Sequence, residues 1–108
     1  SAEYIDAAIR FVEHNYSNPI SVNDIASSAA ISRSHLYRMF VQELGMPPNE
    51  YLTRFRISNA CDLLRIKNIS ISEVAFSSGF SDPLYFSRVF KRVTGVTPSS
   101  YAKSSNVE

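Results

Sequence analysis

The stretch from Ser70 to Tyr101, SISEVAFSSGFSDPLYFSRVFKRVTGVTPSSY, decides the fold. Ser70-Ile-Ser-Glu73 is a full capping box, in which the serine hydroxyl accepts from the amide three residues on and the carboxylate reaches back to the serine amide. Ile71, Val74 and Ala75 then make an inward face, and Gly79 closes that helix. Asp82-Pro83 starts another, an N-cap followed by proline at the first helical position, where its missing N–H removes nothing. Phe86, Val89, Phe90 and Val93 recur at spacings of three and four, and Gly95 stops the helix at the left-handed C-cap position. Thr97-Pro98 opens a last short turn ending near Tyr101. A short capped helix, a tight turn and a second helix form a helix-turn-helix.

Fifty residues earlier the pattern occurs once before. Val22-Asn-Asp-Ile-Ala26 matches Ile71-Ser-Glu-Val-Ala75, and Leu36-x-Arg38-x-Phe40 matches Phe86-x-Arg88-x-Phe90, with a one-residue adjustment in the turn between. Gly45-x-x-Pro48-x-x-Tyr51 matches Gly95-x-x-Pro98-x-x-Tyr101. In the first copy Ser21 caps a helix with Asp24 reaching back, Val22, Ile25, Ala26 and Ala29 face inward, and Ser32 caps a helix with Leu36, Met39, Phe40 and Leu44 inside. Two copies are too few for a solenoid. Before them, Ile5, Ala8, Ile9, Val12 and Tyr16 mark one face of a helix that ends before Asn18-Pro19. Between them, Pro47-Pro48 opens a longer helix to about Lys67, with Leu52, Phe55, Ala60, Leu63 and Leu64 as its apolar stripe and Arg54, Arg56, Arg65 and Lys67 mostly off it. No segment alternates with a period of two, so the expected class is all-α, with two helix-turn-helix subdomains joined by a long linker helix and about seven helices in total. Residues 1–47 form the N-terminal helix and first unit, 48–67 the linker, and 68–108 the second unit and C-terminal helix.

At 108 residues the chain fits one small domain or two subdomains sharing a long element, and excludes a large multi-domain enzyme. No apolar run approaches bilayer thickness, and Ser1-Ala2-Glu3 has neither a basic region nor an apolar core, so membrane insertion and secretion are not expected. Cys61 is the single cysteine and with His14 and His35 offers no metal-ligand spacing, so neither a disulfide nor a metal or other cofactor is expected, and a reducing cytoplasm suits the chain. The absence of an initiator methionine is consistent with a fragment of a longer chain and equally with removal by processing.

The outer faces of the second helices carry the functional signal. Arg33, Ser34, Tyr37, Arg38 and Val41 lie opposite the inward set of the first copy, and Leu84, Ser87, Arg88 and Lys91, with Arg92 beside them, opposite that of the second. Each strip holds an arginine, a planar donor able to contact guanine O6 and N7 in a major groove. The plain alternative is a solvated face with ordinary surface arginines, and recurrence at the same place in two copies weighs against it. The formal charge of +1 is low for a protein that neutralises phosphates. Its distribution is more favourable: residues 1–31 carry Glu3, Asp6, Glu13 and Asp24 against Arg10 alone, and the basic excess lies with the later helices.

These residues resemble the AraC/XylS family of transcriptional regulators, whose DNA-binding domain is two helix-turn-helix units joined by a long helix. Nearly the whole chain is covered. The second half carries Ile71-Ser-Glu-Val-Ala75, Gly79-Phe80, Tyr85-Phe86-Ser87-Arg88-x-Phe90-Lys91 and Gly95-x-Thr97-Pro98-x-x-Tyr101. The first carries Ile25-Ala26, Ser32-x-Ser34-His35-Leu36-x-Arg38-x-Phe40 and Gly45-x-x-Pro48-x-x-Tyr51. The resemblance implies sequence-specific binding of double-stranded DNA, with two recognition helices in adjacent major grooves. It implies base-facing roles for Ser34, Tyr37 and Arg38, and for Pro83, Leu84, Ser87 and Arg88. Ser32, Arg33, Lys91 and Arg92 are the accompanying candidates for the DNA backbone. An N-terminal effector or dimerisation domain, RNA polymerase as a further partner, and a place at the bacterial nucleoid follow from the same resemblance.

Four positions depart from the family pattern. Ala30 stands where many members have the glycine of the turn; a left-handed backbone there costs alanine roughly 1 kcal/mol relative to glycine, which favours another turn geometry. Pro83-Leu84 is more apolar than the polar pairs common at the start of the second reading helix, which makes contact with a thymine methyl the expected readout there. Ala102 replaces a frequent arginine, removing a phosphate or stabilising contact.

The remaining conspicuous residues have plain readings. Cys61 reads as a small packing residue on the linker, without the neighbouring His or Cys that alkyl-transfer chemistry uses. His35 reads as a cap or packing residue. Phe80, Phe86 and Phe90 read as core because stacking platforms need exposed rings. Tyr37 either meets DNA or covers an edge of the core. A helical module that docks on transcription machinery without reading DNA is the competing function, separable by the steep salt dependence that phosphate contacts impose. An enzyme is least favoured, since no nucleophile, base and orienting group converge in the sequence and no glycine-rich phosphate loop follows a strand.

Overall fold

The computed structural model describes residues 2–66 and 68–105. Lys67, where the linker was expected to end, lies outside the described residues, as do Ser1 and residues 106–108. Among the described residues there are seven helices and no strand: α1 (Ala2–Asn15), α2 (Val22–Ser28), α3 (Arg33–Leu44), α4 (Pro48–Leu64), α5 (Ile71–Ser77), α6 (Pro83–Thr94) and α7 (Pro98–Ser105). The chain forms two compact units, Ser1–Phe55 and Arg56–Glu108, with the division inside α4.

In the first unit Ile5, Ala8, Val12, Ile25, Ala26, Leu36, Met39, Phe40 and Leu52 are buried together. The three- and four-residue spacing of these positions puts them on the facing sides of α1, α2 and α3. Tyr16 follows the end of α1 rather than lying on it, and its ring packs on Phe55 at 5.2 Å. In the second unit Ile57, Ala60, Leu64, Val74, Ala75, Phe80, Phe86, Val89 and Phe90 close a separate core. The rings of Phe80, Phe86 and Phe90 follow one another at 5.2 and 5.7 Å. Burial of this aromatic area is the main stabilising term of a unit this small, and Phe90→Ala is the type of change that costs about 3 to 5 kcal/mol.

The caps are those the sequence specifies. Ser21 and Asp24 exchange hydrogen bonds of 2.8 and 3.2 Å, and Ser70 and Glu73 exchange two of 3.1 Å. Ser32 accepts from the His35 amide at 3.1 Å, and Asp82 from the Leu84 amide at 3.0 Å. Gly45 and Gly95 are left-handed at φ 75° and 90°.

Each unit turns between its paired helices in one and the same way. The Ile31 amide donates to the Ala26 carbonyl and the Ala30 amide to Ser27, at 3.1 and 3.0 Å. Fifty residues on, the equivalents are Phe80 to Ala75 and Gly79 to Phe76, at 2.9 and 3.1 Å. This is the Schellman pattern, which requires a left-handed residue between the two bonds. Gly79 supplies it at φ 97° and Ala30 at φ 56°. The expectation that alanine would force another geometry is therefore corrected: the two hydrogen bonds, together with Ile31 packing on the core, outweigh the local strain.

Three further expectations change. The stripe assigned to the linker omits Ile57, which is 2% exposed. It lies five residues after Leu52, off any three- or four-residue series begun there, because the two halves of α4 serve separate cores. The helix also ends at Leu64, where Arg65 and Ile66 donate to carbonyls three residues back, and Asn68 is left-handed at φ 69°. The last helix runs to Ser105 rather than stopping near Tyr101. Thr97 accepts from the Ser100 amide at 3.1 Å, and no glycine or proline follows to end the helix. Ala102, in place of an arginine, packs partly buried against the second core.

Candidate nucleic-acid interface

In the first unit the Ser32 cap fixes where α3 begins and therefore which residues of its first turn point outward. Arg33, Ser34, Tyr37, Arg38 and Val41 are all exposed, Tyr37 by 53%. Arg33, Ser34, Tyr37 and Arg38 share an open groove of about 840 Å³ with Val22 of α2 and with Pro48 and Asn49 of α4. The groove brings two guanidinium groups, a phenol, a hydroxyl and an amide to one surface, a donor-rich set suited to base edges and phosphate oxygens. Tyr37 lines this groove with about half of its surface exposed. Asn49 is a member that the sequence reading missed. The available signal was the Gly45-x-x-Pro48 exit, which returns the chain beside α3. The Ser32 hydroxyl is engaged at the His35 amide as the cap of α3. His35 packs edge-on to Tyr4 at 5.7 Å.

In the second unit the Asp82 cap and Pro83 at the first helical position set the register of α6. Leu84 is 72% exposed, Arg88, Lys91 and Arg92 are exposed, and Pro83 and Ser87 are half-buried. Tyr85, which the sequence reading placed only in a motif, is also exposed and lies 6.3 Å from the Phe80 ring. The strip therefore has an apolar start and a cationic end, whereas α3 has a polar start and ends with Val41, Gln42 and Glu43 exposed.

Tyr51 and Tyr101 occupy matching exits, each edge-on to the buried phenylalanine of the second helix of its pair, Phe40 of α3 at 5.5 Å and Phe90 of α6 at 5.6 Å. Tyr101 also accepts a 2.8 Å hydrogen bond from Arg65, which is paired with Asp62 at 2.7 Å. Burial pushes the Cys61 thiol above its ordinary range, and Tyr101 and Arg65 oppose this only in part, so the group is a packing thiol and not a ready nucleophile. Burial likewise lowers the Arg56 guanidinium from its ordinary value.

Charge divides between the units. Residues 1–55 carry Arg10, Arg33, Arg38 and Arg54 against Glu3, Asp6, Glu13, Asp24, Glu43 and Glu50, a formal −2. Residues 56–108 carry Arg56, Arg65, Lys67, Arg88, Lys91, Arg92 and Lys103 against Asp62, Glu73, Asp82 and Glu108, a formal +3.

A capped pair of helices with an outward arginine strip, built twice in one chain, defines the helix-turn-helix class, and residues 25–104 match the model of a helix-turn-helix domain family. The chain is 40% identical over 99 residues to the lactose operon transcription activator of Staphylococcus xylosus, which covers 92% of this chain but only 36% of that protein. A transcriptional regulator from Chromobacterium violaceum described as having an AraC-type DNA-binding domain superposes with a TM-score of 0.89 at 30% identity, covering 95% of this chain and 92% of that one. The DNA-binding domain of the global transcriptional factor AdpA, solved in complex with a target DNA, superposes with a TM-score of 0.86 at 27% identity over 94% of this chain and 91% of that one. The chain belongs to the AraC family of transcriptional regulators.

Proposed function

We propose that this chain is the DNA-binding domain of a bacterial transcription regulator and binds double-stranded DNA sequence-specifically, with α3 and α6 each laid in a major groove. The observation that carries this reading is the recurrence of Arg38 and Arg88, exposed at matching positions of two independently capped reading helices. Ser34, Tyr37 and Arg38 face bases in the first unit, and Pro83, Leu84, Ser87 and Arg88 in the second. Ser32, Arg33, Lys91 and Arg92 hold the backbone.

The chain acts by binding, not by catalysis: the relatives are transcription regulators, and the exposed donors match base edges and phosphates. Among the described residues no group of three His, Cys, Asp or Glu is placed to hold a metal, and no helix is long and apolar enough to cross a membrane. The chain spans 36% of the length of the Staphylococcus activator, which supports a parent protein with a further domain of effector-binding or dimerising type that meets RNA polymerase at the promoter in the cytoplasm.

Selection of bound sites from random duplexes tests the reading. The expected result is a defined consensus, with affinity that falls steeply with salt. Recovery of no preferred sequence, or salt-insensitive binding to a protein partner alone, overturns it.

A further inference from the structure

The two units share caps, turn and core, so their exposed residues can be compared position by position. Arg38 corresponds to Arg88, but the next exposed turn differs: Val41 and Gln42 in α3 stand where α6 has Lys91 and Arg92. The units as a whole are formally −2 and +3. A duplex presents a line of phosphates, and the attraction a protein gains from it scales with the cations it brings to that line.

We propose that the two units divide the work of binding unequally, the second supplying most of the sequence-independent grip on phosphate through Lys91 and Arg92 at the end of α6, the first adding Arg33 alone as a cation beside its base-reading strip. This rests on the DNA-binding reading above and assigns the source of affinity within it. The competing account of Lys91 and Arg92 is structural, since cations in a last turn also complement the helix dipole. That role alters the melting temperature and leaves the salt dependence of DNA binding untouched.

The test uses the whole chain and a fluorescent duplex of random sequence, with the dissociation constant measured across a fourfold range of salt. The double variant Lys91→Gln, Arg92→Gln should lose about 1.8 units of the logarithmic salt slope, so that the same rise in salt weakens it about tenfold less than the unaltered chain. The charge-matched double variant Arg33→Gln, Arg54→Gln in the first unit should lose no more than about 0.9 units. Equal loss of slope in both overturns the proposal, because attraction then follows net charge and not location. An unchanged slope in the Lys91, Arg92 variant with DNA still bound also overturns it. Absence of salt-dependent duplex binding by the unaltered chain overturns instead the DNA-binding reading itself. If circular dichroism shows the double variant unfolded, Lys91→Gln alone carries the test, with an expected loss of about 0.9 units.

Discussion

Ala30 is the residue at which local preference and tertiary demand disagree most plainly. At φ 56° it holds a conformation that Gly79 holds without strain in the other unit. Ala30→Gly should relieve that strain and return part of the gain as unfolded-chain entropy, for a net stabilisation of about 0.5 to 1 kcal/mol. Gly79→Ala should destabilise by about 1 kcal/mol or more. Urea midpoints of the two variants check both signs, and a midpoint that falls for Ala30→Gly refutes the account of strain. The alanine was legible as a departure from the repeat. Its backbone was not, because the outcome depended on two hydrogen bonds and on the burial of Ile31, which no single-residue preference reveals.

The short helices α2 and α5 depend heavily on their caps, being too brief to persist by propagation alone. Hydrogen bonding from the Ser70 amide holds the Glu73 carboxyl below its usual range. A carboxyl depressed in this way adds stability that is present above its unfolded pKa and is lost as pH falls through the folded one. The unaltered chain should therefore lose thermal stability below the ordinary glutamate range, near pH 4, and Glu73→Gln should lose less over the same interval. Melting curves at pH 6 and pH 3.5 decide this, and equal losses in the two proteins would rule the cap out as a contributor. In α4 the exposed Ser58 is the position for a helix break, because Leu63 packs on the second core. Ser58→Pro removes a backbone donor and kinks the helix. If α4 fixes the spacing of two half-sites, specific affinity falls far more than non-specific affinity, whereas equal losses on the two duplexes exclude that role. Caps and spacings of three and four were readable because they are local. Ile57 was passed over because it is off the series begun at Leu52, although it stands three residues before Ala60 and seven before Leu64, and Asn49 was signalled only indirectly, by the Gly45-x-x-Pro48 exit.

Because both reading helices belong to one chain but differ in their exposed residues, the expected site is bound by a monomer and lacks a palindrome. Arg38→Ala and Arg88→Ala should each cost about 1 to 3 kcal/mol and relax base preference in one segment only. Site selection on the two variants checks this. If the preferred sequence is unchanged in both, the arginines position the protein and read nothing. One feature of α6 reaches further, into the chemistry of modified DNA. Leu84, 72% exposed at the first turn, is suited to feel the C5 methyl that thymine projects into the major groove. Cytosine methylated at C5 carries the same group at the same edge. A site in which the thymine under Leu84 is replaced by cytosine should bind more weakly, and methylation of that cytosine should recover part of the loss. The second unit would then respond to the methylation state of its site through an apolar contact.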